Sequence, residues 1–348
     1  MIYVGLLHTW IPRFSALLSF IFNPLFVYLV MAKTKSPIGS YKYILISFAV
    51  FDMVYTVVEQ LCGMGSHGHG SAFVVFIAHG PFYHDLHLGL IALSVRCGFI
   101  ALSYGILVIH FIYRYIVLCK PDMLYIFTTP KWVCGLVVFF LAHGIIWSGS
   151  CYYLLYANRE MQEYLDEAFI ESYNVSAMEV PMLGTIFNNS STDLVNRTVI
   201  GLVILTLISC YAIYIYCSLG MMIHSKLNQL TVSQKTKKMH RGLLKALIIQ
   251  TMIPLVVSYI PCFIAWYTPF FNVATGSFNN YCTIIFLSFF PFCDPVAIIC
   301  ILPEYRNALL VSVGLKSPQV TNVATSTDSR GYNSKKASVK QVLSVHGK

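Results

Sequence analysis

Six ionisable side chains lie inside long apolar stretches: Asp52, Glu59, Arg96, His110, His143 and Asp294. Two carboxylates at one level of a low-dielectric interior cannot both be charged cheaply. Asp52 and Asp294 are therefore candidates to share a proton, hold water or a cation, or imitate an aspartyl dyad. Glu59 and Arg96 can form an ion pair lining a ligand cavity, or snorkel separately to an interface. No motif that would make the two aspartates catalytic accompanies them, so no enzyme and no cofactor are expected. Five of the 11 histidines, His67, His69, His79, His84 and His87, fall between residues 64 and 87, a stretch that contains the run MGSHGHGS. That pattern raises a metal site or a pH-sensitive lid. The glycine-rich spacing fixes no geometry, however, so the expectation is a flexible hydrated loop without metal.

The elements that must position these groups follow from composition. The chain has 348 residues, 57% of them hydrophobic and 11% charged, with a mean hydropathy of +0.69. Soluble domains carry about a quarter charged residues, and this chain could not cover a soluble surface. A helix needs about 20 apolar residues to cross a bilayer. Seven stretches qualify, at 10–31, 43–63, 88–114, 132–156, 198–223, 243–266 and 280–302. The predicted fold is an all-α membrane protein, a bundle of seven transmembrane helices (residues 10–302). At a rise of 1.5 Å per residue, Asp52 and Asp294 each lie about 12–13 Å from one end of their helices, at a shared level. Helix six carries Pro254 and Pro261, each of which removes a backbone donor and permits a hinge.

Orientation follows from lysine and arginine. Of the 23, three fall in 32–42, three in 114–131, six in 224–245 and seven beyond residue 303. Those segments are assigned to the cytoplasm, which leaves the N-terminus (1–9) outside and a cytoplasmic tail at 303–348. All four N-x-S/T acceptors, Asn174, Asn188, Asn189 and Asn196, fall in the loop 157–197, which the charge rule puts outside. Asn196, close to the fifth span, is expected to stay unmodified. The net charge of +9 is dispersed among short loops, so no nucleic-acid partner is expected. The cysteines sit mostly in apolar segments without zinc spacing.

A lone Arg114 between Tyr113 and Tyr115 ends the third span in HFIYRYIVLCKP. Interfacial anchoring accounts for it as readily as a signalling switch does. With GSYKYILISFAVFDMVYTVVE, LLKALIIQTMIPLVVSYIP and FPFCDPVAIICILPEYRNAL in this order, the chain closely resembles the nematode chemoreceptors of serpentine receptor class r (the Str family), which includes the odorant receptor for diacetyl. The resemblance implies a G-protein-coupled odorant receptor in the ciliary membrane of a sensory neuron, binding a small, volatile molecule outside and a heterotrimeric G protein inside. Tyr113-Arg114-Tyr115 is similar in position to the acidic-Arg-aromatic triplet of rhodopsin-like receptors, with His110 before it and Lys120 after it. Asp294-Pro295 is similar to their Asn-Pro. Tyr113 replaces the acid, so a restraint on Arg114 would be a hydrogen bond or a cation–π contact. Helix six lacks the Cys-Trp-x-Pro sequence. By depth alone, Glu59, Arg96, Phe99, Trp147 and Trp266 are assigned to the ligand cavity. The alternative reading, a ligand-gated cation channel of odorant-receptor type, requires the opposite orientation.

Overall fold

The computed structural model of the protein describes residues 2–33, 41–188, 190–231, 233–271, 276–312 and 314–315. In chain order its elements are α1 (Leu6–Lys33), α2 (Tyr41–Leu61), β1 (Gly63–His69), β2 (Ala72–His79), α3 (Leu86–Cys119) and α4 (Pro130–Leu154). Then come α5 (Arg159–Tyr173), β3 (Met182–Ile186), α6 (Thr192–Gln229), α7 (Gln234–Pro254), α8 (Ile260–Tyr267), α9 (Gly276–Ile301) and α10 (Pro303–Ser312). Among the described residues, seven helical segments are long and apolar enough to cross a membrane. The sixth runs continuously through α7, a π turn at Leu255–Tyr259 and α8. The seven-helix bundle is as the sequence predicts, and α3, α6 and α7 extend beyond the predicted spans. A separate unit begins at Leu310; there the Leu315 N–H donates to the Leu310 carbonyl at 2.8 Å.

Helix ends are set by local chemistry. The Asp85 carboxylate accepts from the His87 and Leu88 amides at 2.9 and 2.8 Å and starts α3. Asn158 caps α5 through the Met161 amide at 3.1 Å, and Asn174, at φ 55°, closes its other end. Within the bundle apolar contact is no stronger than contact with lipid, so close backbone approach and buried polar bonds hold the helices. Gly98 and Gly144 let α3 and α4 touch: a Cβ at Gly98 would meet the Ser148 hydroxyl and the Gly144 carbonyl.

The loops at one end depart from the all-α expectation. The supposedly flexible 64–87 stretch is a β1–β2 hairpin, and β3 from the 157–197 loop extends it into a three-stranded antiparallel sheet. Gly70 makes the turn at φ +53°, a left-handed value that suits glycine. Alternate residues of β2 serve two cores. Phe73, Val75 and Ile77 pack into the bundle, whereas Val74, Phe76 and Ala78 pack under Met161, Leu165 and Phe169 of α5. His67 is buried against Phe169, its Nδ1 3.1 Å from the Tyr173 hydroxyl. Burial, with His69 beside it, lowers its pKa from 6.5 to about 4. Among the described residues no group of His, Cys, Asp and Glu is arranged to hold a metal.

Candidate functional site

The groups singled out in the sequence separate into four places. At the sheet end, Arg96 of α3 and Glu59 of α2 form a buried ion pair at 3.3 Å. The guanidinium also lies over the Tyr55 ring, 4.6 Å from its centroid. The pair lines only a water-sized niche of about 20 Å³ beside His8, Pro12 and His79. Phe99 stacks on Phe51 at 6.1 Å, away from that niche.

A larger cavity, about 350 Å³, lies between α3, α4, α6 and the π turn with α8. Trp147 and Trp266 line it. The sequence assigned five residues to one cavity from depth alone. The structure divides them, because depth says nothing of how each helix is rotated. The rest of the lining includes groups that depth did not single out: Tyr104, Tyr259, Ser209, Cys97 and Cys151. Tyr104 and Tyr259 meet edge to face with centroids 4.2 Å apart. Tyr259 reaches Ser103 at 3.1 Å, and the Tyr216 hydroxyl donates to the Tyr104 carbonyl at 3.0 Å. Cys97 of α3 and Cys151 of α4 are neighbours in that wall. The π turn follows Pro254 and precedes Pro261, so missing backbone donors flank it on both sides. π turns are frequent at functional positions, and this one carries Tyr259 into the cavity wall.

The third place lies deeper, toward the tail end of the bundle. Asp52 and Asp294 are both buried and are electrostatic neighbours. Gln250 of α7 donates to Asp294 Oδ2 at 3.0 Å. Neither carboxylate oxygen of Asp52 has a hydrogen-bond partner among the described residues. A hydrogen-bonded chain leads to the Asp52 backbone: Asn23 Nδ2 donates to Ser19 Oγ (3.1 Å), Ser19 meets Thr56 (2.8 Å), and Thr56 donates to the Asp52 carbonyl (2.8 Å). Asn23 also donates to the Pro291 carbonyl at 2.9 Å. In an unbroken helix that carbonyl would accept from residue 295, which here is a proline without N–H. Asn23 thus supplies the donor that Pro295 removed.

Arg114 is buried, and α3 continues five residues past it. Its guanidinium carbon sits 3.7 Å from the centroid of Tyr41 in α2. Tyr113, which stands where the acid would be, stacks on the same Tyr41, ring centroids 5.4 Å apart. Adjacent residues on a helix point about 100° apart and do not face each other. That geometry is why Tyr113 and Arg114 meet through a third residue. His110 donates Nε2–H to the Ile44 carbonyl at 3.3 Å and packs on Phe48. Tyr115 is half-buried, and Lys120 is exposed at the end of α3.

The profile of the family described as "Serpentine type 7TM GPCR chemoreceptor Srj" matches residues 2–309. The chain belongs to that family. The serpentine receptor class J-38 of Caenorhabditis elegans is 32% identical over 307 residues, covering 87% of this chain and 92% of the relative. The G-protein coupled receptor str-33 of the same organism is 26% identical over 308 residues, covering 86% and 88%. The C. elegans serpentine receptor class r-10 is 26% identical over 303 residues, covering 84% and 86%. The resemblance to nematode serpentine chemoreceptors therefore holds; the matching profile is that of Srj, and the likeness to class r is the looser one. The family is one of chemoreceptors rather than enzymes. This serpentine receptor is a multi-pass membrane protein.

Proposed function

We propose that this serpentine chemoreceptor binds a small odorant in the cavity between α3, α4, α6 and the π turn, and signals to a heterotrimeric G protein at the tail end of the bundle. The observation that carries the reading is the cavity itself: a mostly apolar space whose wall includes an irregular turn of a transmembrane helix. A ligand that favours one packing of that wall shifts the population of bundle conformations by its differential affinity. Pro254 and Pro261 bracket the segment that moves. Asp52, Asp294 and Pro295 form the polar relay below it. Tyr41 holds Arg114 in a buried cluster with His110 and Tyr113, beside half-buried Tyr115 and ahead of exposed Lys120 at the helix end.

In this reading the sheet end, with Asn174, Asn188 and Asn196, faces outside and the C-terminus is cytoplasmic; Asn189 lies outside the described residues. Charge distribution and sequons support that orientation, and the family relationship supports a ciliary membrane. Glu59 and Arg96 anchor the sheet end of the bundle rather than contact ligand. Expression in reporter cells, challenged with a panel of volatiles, tests the proposal. A response is expected that requires the G protein and that Arg114→Ala alters. A ligand-evoked current persisting without G proteins would make the protein a ligand-gated channel.

A further inference from the structure

At the sheet end the described chain closes the bundle twice over. Residues Ala72–Ala78 of β2 are each at most 3% exposed. One face of the strand fills the bundle mouth, Phe73 lying 5.4 Å from Trp266. The other face is covered by α5. Among the described residues, then, an axial path from the sheet end to the cavity runs into a strand with both faces buried. The side of the bundle differs. Four residues of the cavity lining are exposed: Cys210 and Ile213 (36%) on α6, and Ile260 (47%) and Phe263 (55%) on α8. Cys210 is twelve residues inside the apolar run 198–223, about 18 Å along the helix, near the middle of a hydrocarbon layer about 30 Å thick. Toward the sheet end the gap between the two helices is bridged by Thr206 and Tyr267, whose hydroxyls lie 2.5 Å apart.

We propose that the opening between α6 and α8 is the ligand entrance, and that the ligand is an uncharged lipophilic small molecule that dissolves in the bilayer before it binds. The inference rests on the cavity being the ligand site and adds the route and the chemical class. Among the described residues no Asp, Glu, Lys, Arg or His lines the cavity, so a charge would be desolvated there without a partner. The hydroxyls that do line it are already engaged, Ser209 with Tyr104 at 3.3 Å and Tyr259 with Ser103 at 3.1 Å. They suit at most one carbonyl or hydroxyl on an otherwise apolar molecule. An entrance at mid-bilayer selects for partitioning before it selects for shape.

The chain has four tryptophans, of which Trp147 and Trp266 line the cavity. Trp10→Phe with Trp132→Phe leaves those two as reporters in purified receptor held in lipid nanodiscs. The probe is 1-bromooctane, a lipophilic heavy-atom quencher. Saturable quenching is expected, with a midpoint that follows the ratio of probe to lipid and stays constant when the sample is diluted at fixed ratio. Iodide is expected to leave the emission unchanged. Cys210→Phe, which narrows the opening, is expected to slow the onset several-fold. Thr206→Val, which releases Tyr267, is expected to speed it, and Leu205→Phe, which fills the cavity, to remove most of the saturable signal. Comparable quenching by iodide, or an onset that neither Cys210→Phe nor Thr206→Val changes, would overturn the lateral route while leaving the cavity as the ligand site. Equal quenching by a phosphatidylcholine brominated in its acyl chains would make the occupant a lipid tail and overturn the ligand class. Absence of saturable quenching in the parent protein would refute the cavity as a site, a separate and more basic failure.

Discussion

Replacing Tyr41 by leucine tests how Arg114 is restrained. The guanidinium carbon lies 3.7 Å from the ring centroid, and both residues are buried, Tyr41 at 1% exposure and Arg114 at 4%. A desolvated cation–π contact contributes about 2 kcal/mol or more. Arg114 Nε and Nη2 have no hydrogen-bond partner among the described residues, so the Tyr41 ring is a principal contact holding the charge. Leucine keeps an apolar side chain in the position and removes the π face. If the contact belongs to the resting packing alone, its loss raises the ratio of active to resting receptor by about thirtyfold, since each 1.4 kcal/mol is a factor of ten. Tyr41→Phe, which retains a ring, should change that ratio much less. The assay is ligand-free G-protein nucleotide exchange in membranes matched for surface receptor. A Tyr41→Leu receptor with basal exchange equal to or below that of the parent would refute the restraint. So would a Tyr41→Phe receptor as active as Tyr41→Leu.

Four further outcomes follow from the geometry. Glu59→Ala leaves the buried Arg96 charge unpaired and should cost about 3–5 kcal/mol, whereas Glu59→Ala with Arg96→Leu should recover much of it in a thermal unfolding assay; strictly additive losses would mean that the two do not pair. Asn23→Leu should cost about 1–3 kcal/mol by stranding the Pro291 carbonyl. Pro295→Ala restores an N–H to that carbonyl, so the double variant should be more stable than the sum of the singles predicts, and additivity would contradict the substitution of one donor for the other. His67 is neutral when folded, with a pKa near 4 against 6.5 unfolded. Its contribution is therefore complete above about pH 6.5 and is lost as pH falls toward 4, by about 3 kcal/mol at most. Hydrogen exchange across residues 63–79 should accelerate at pH 5 after correction for intrinsic rates, and His67→Phe should reduce that acceleration; unchanged pH sensitivity would assign the effect to another group. Asn174 is exposed at the end of α5, whereas Asn196 lies within α6 and its partner Thr198 is buried. Asn174→Gln should thus remove one endoglycosidase-sensitive mass step and Asn196→Gln none, and absence of any step would reverse the proposed orientation.

Several features were legible because they are sums over adjacent residues. A run such as NYCTIIFLSFFPFCDPVAIICIL has a transfer free energy that favours the bilayer whatever packs beside it. The rarity of buried charge likewise marked Asp52, Glu59, Arg96, Arg114 and Asp294 for attention, and all five are buried in the structure. The hairpin was less legible. AFVVFIA, residues 72–78, is too short to span and does not alternate, because both faces of β2 are buried. Its glycine-rich neighbour MGSHGHGS then read as flexible. A seven-residue apolar run bounded by Gly70-Ser71 before it and His79-Gly80 after it was the available signal for a strand.

By itself the sequence determined the number of spans, the places of the interior charges and the family resemblance, each of which depends on residue type and order. Tertiary structure decided which residues meet. Tyr41 covers Arg114 across 73 positions, Asn23 replaces a backbone donor lost 272 positions later, and Trp147 shares a cavity with Trp266. A helix in lipid is apolar on its outward face as well as its inward one, so hydropathy carries little record of rotation about the helix axis. That rotation is what separates a lining residue from one in contact with lipid, and only the packed bundle sets it.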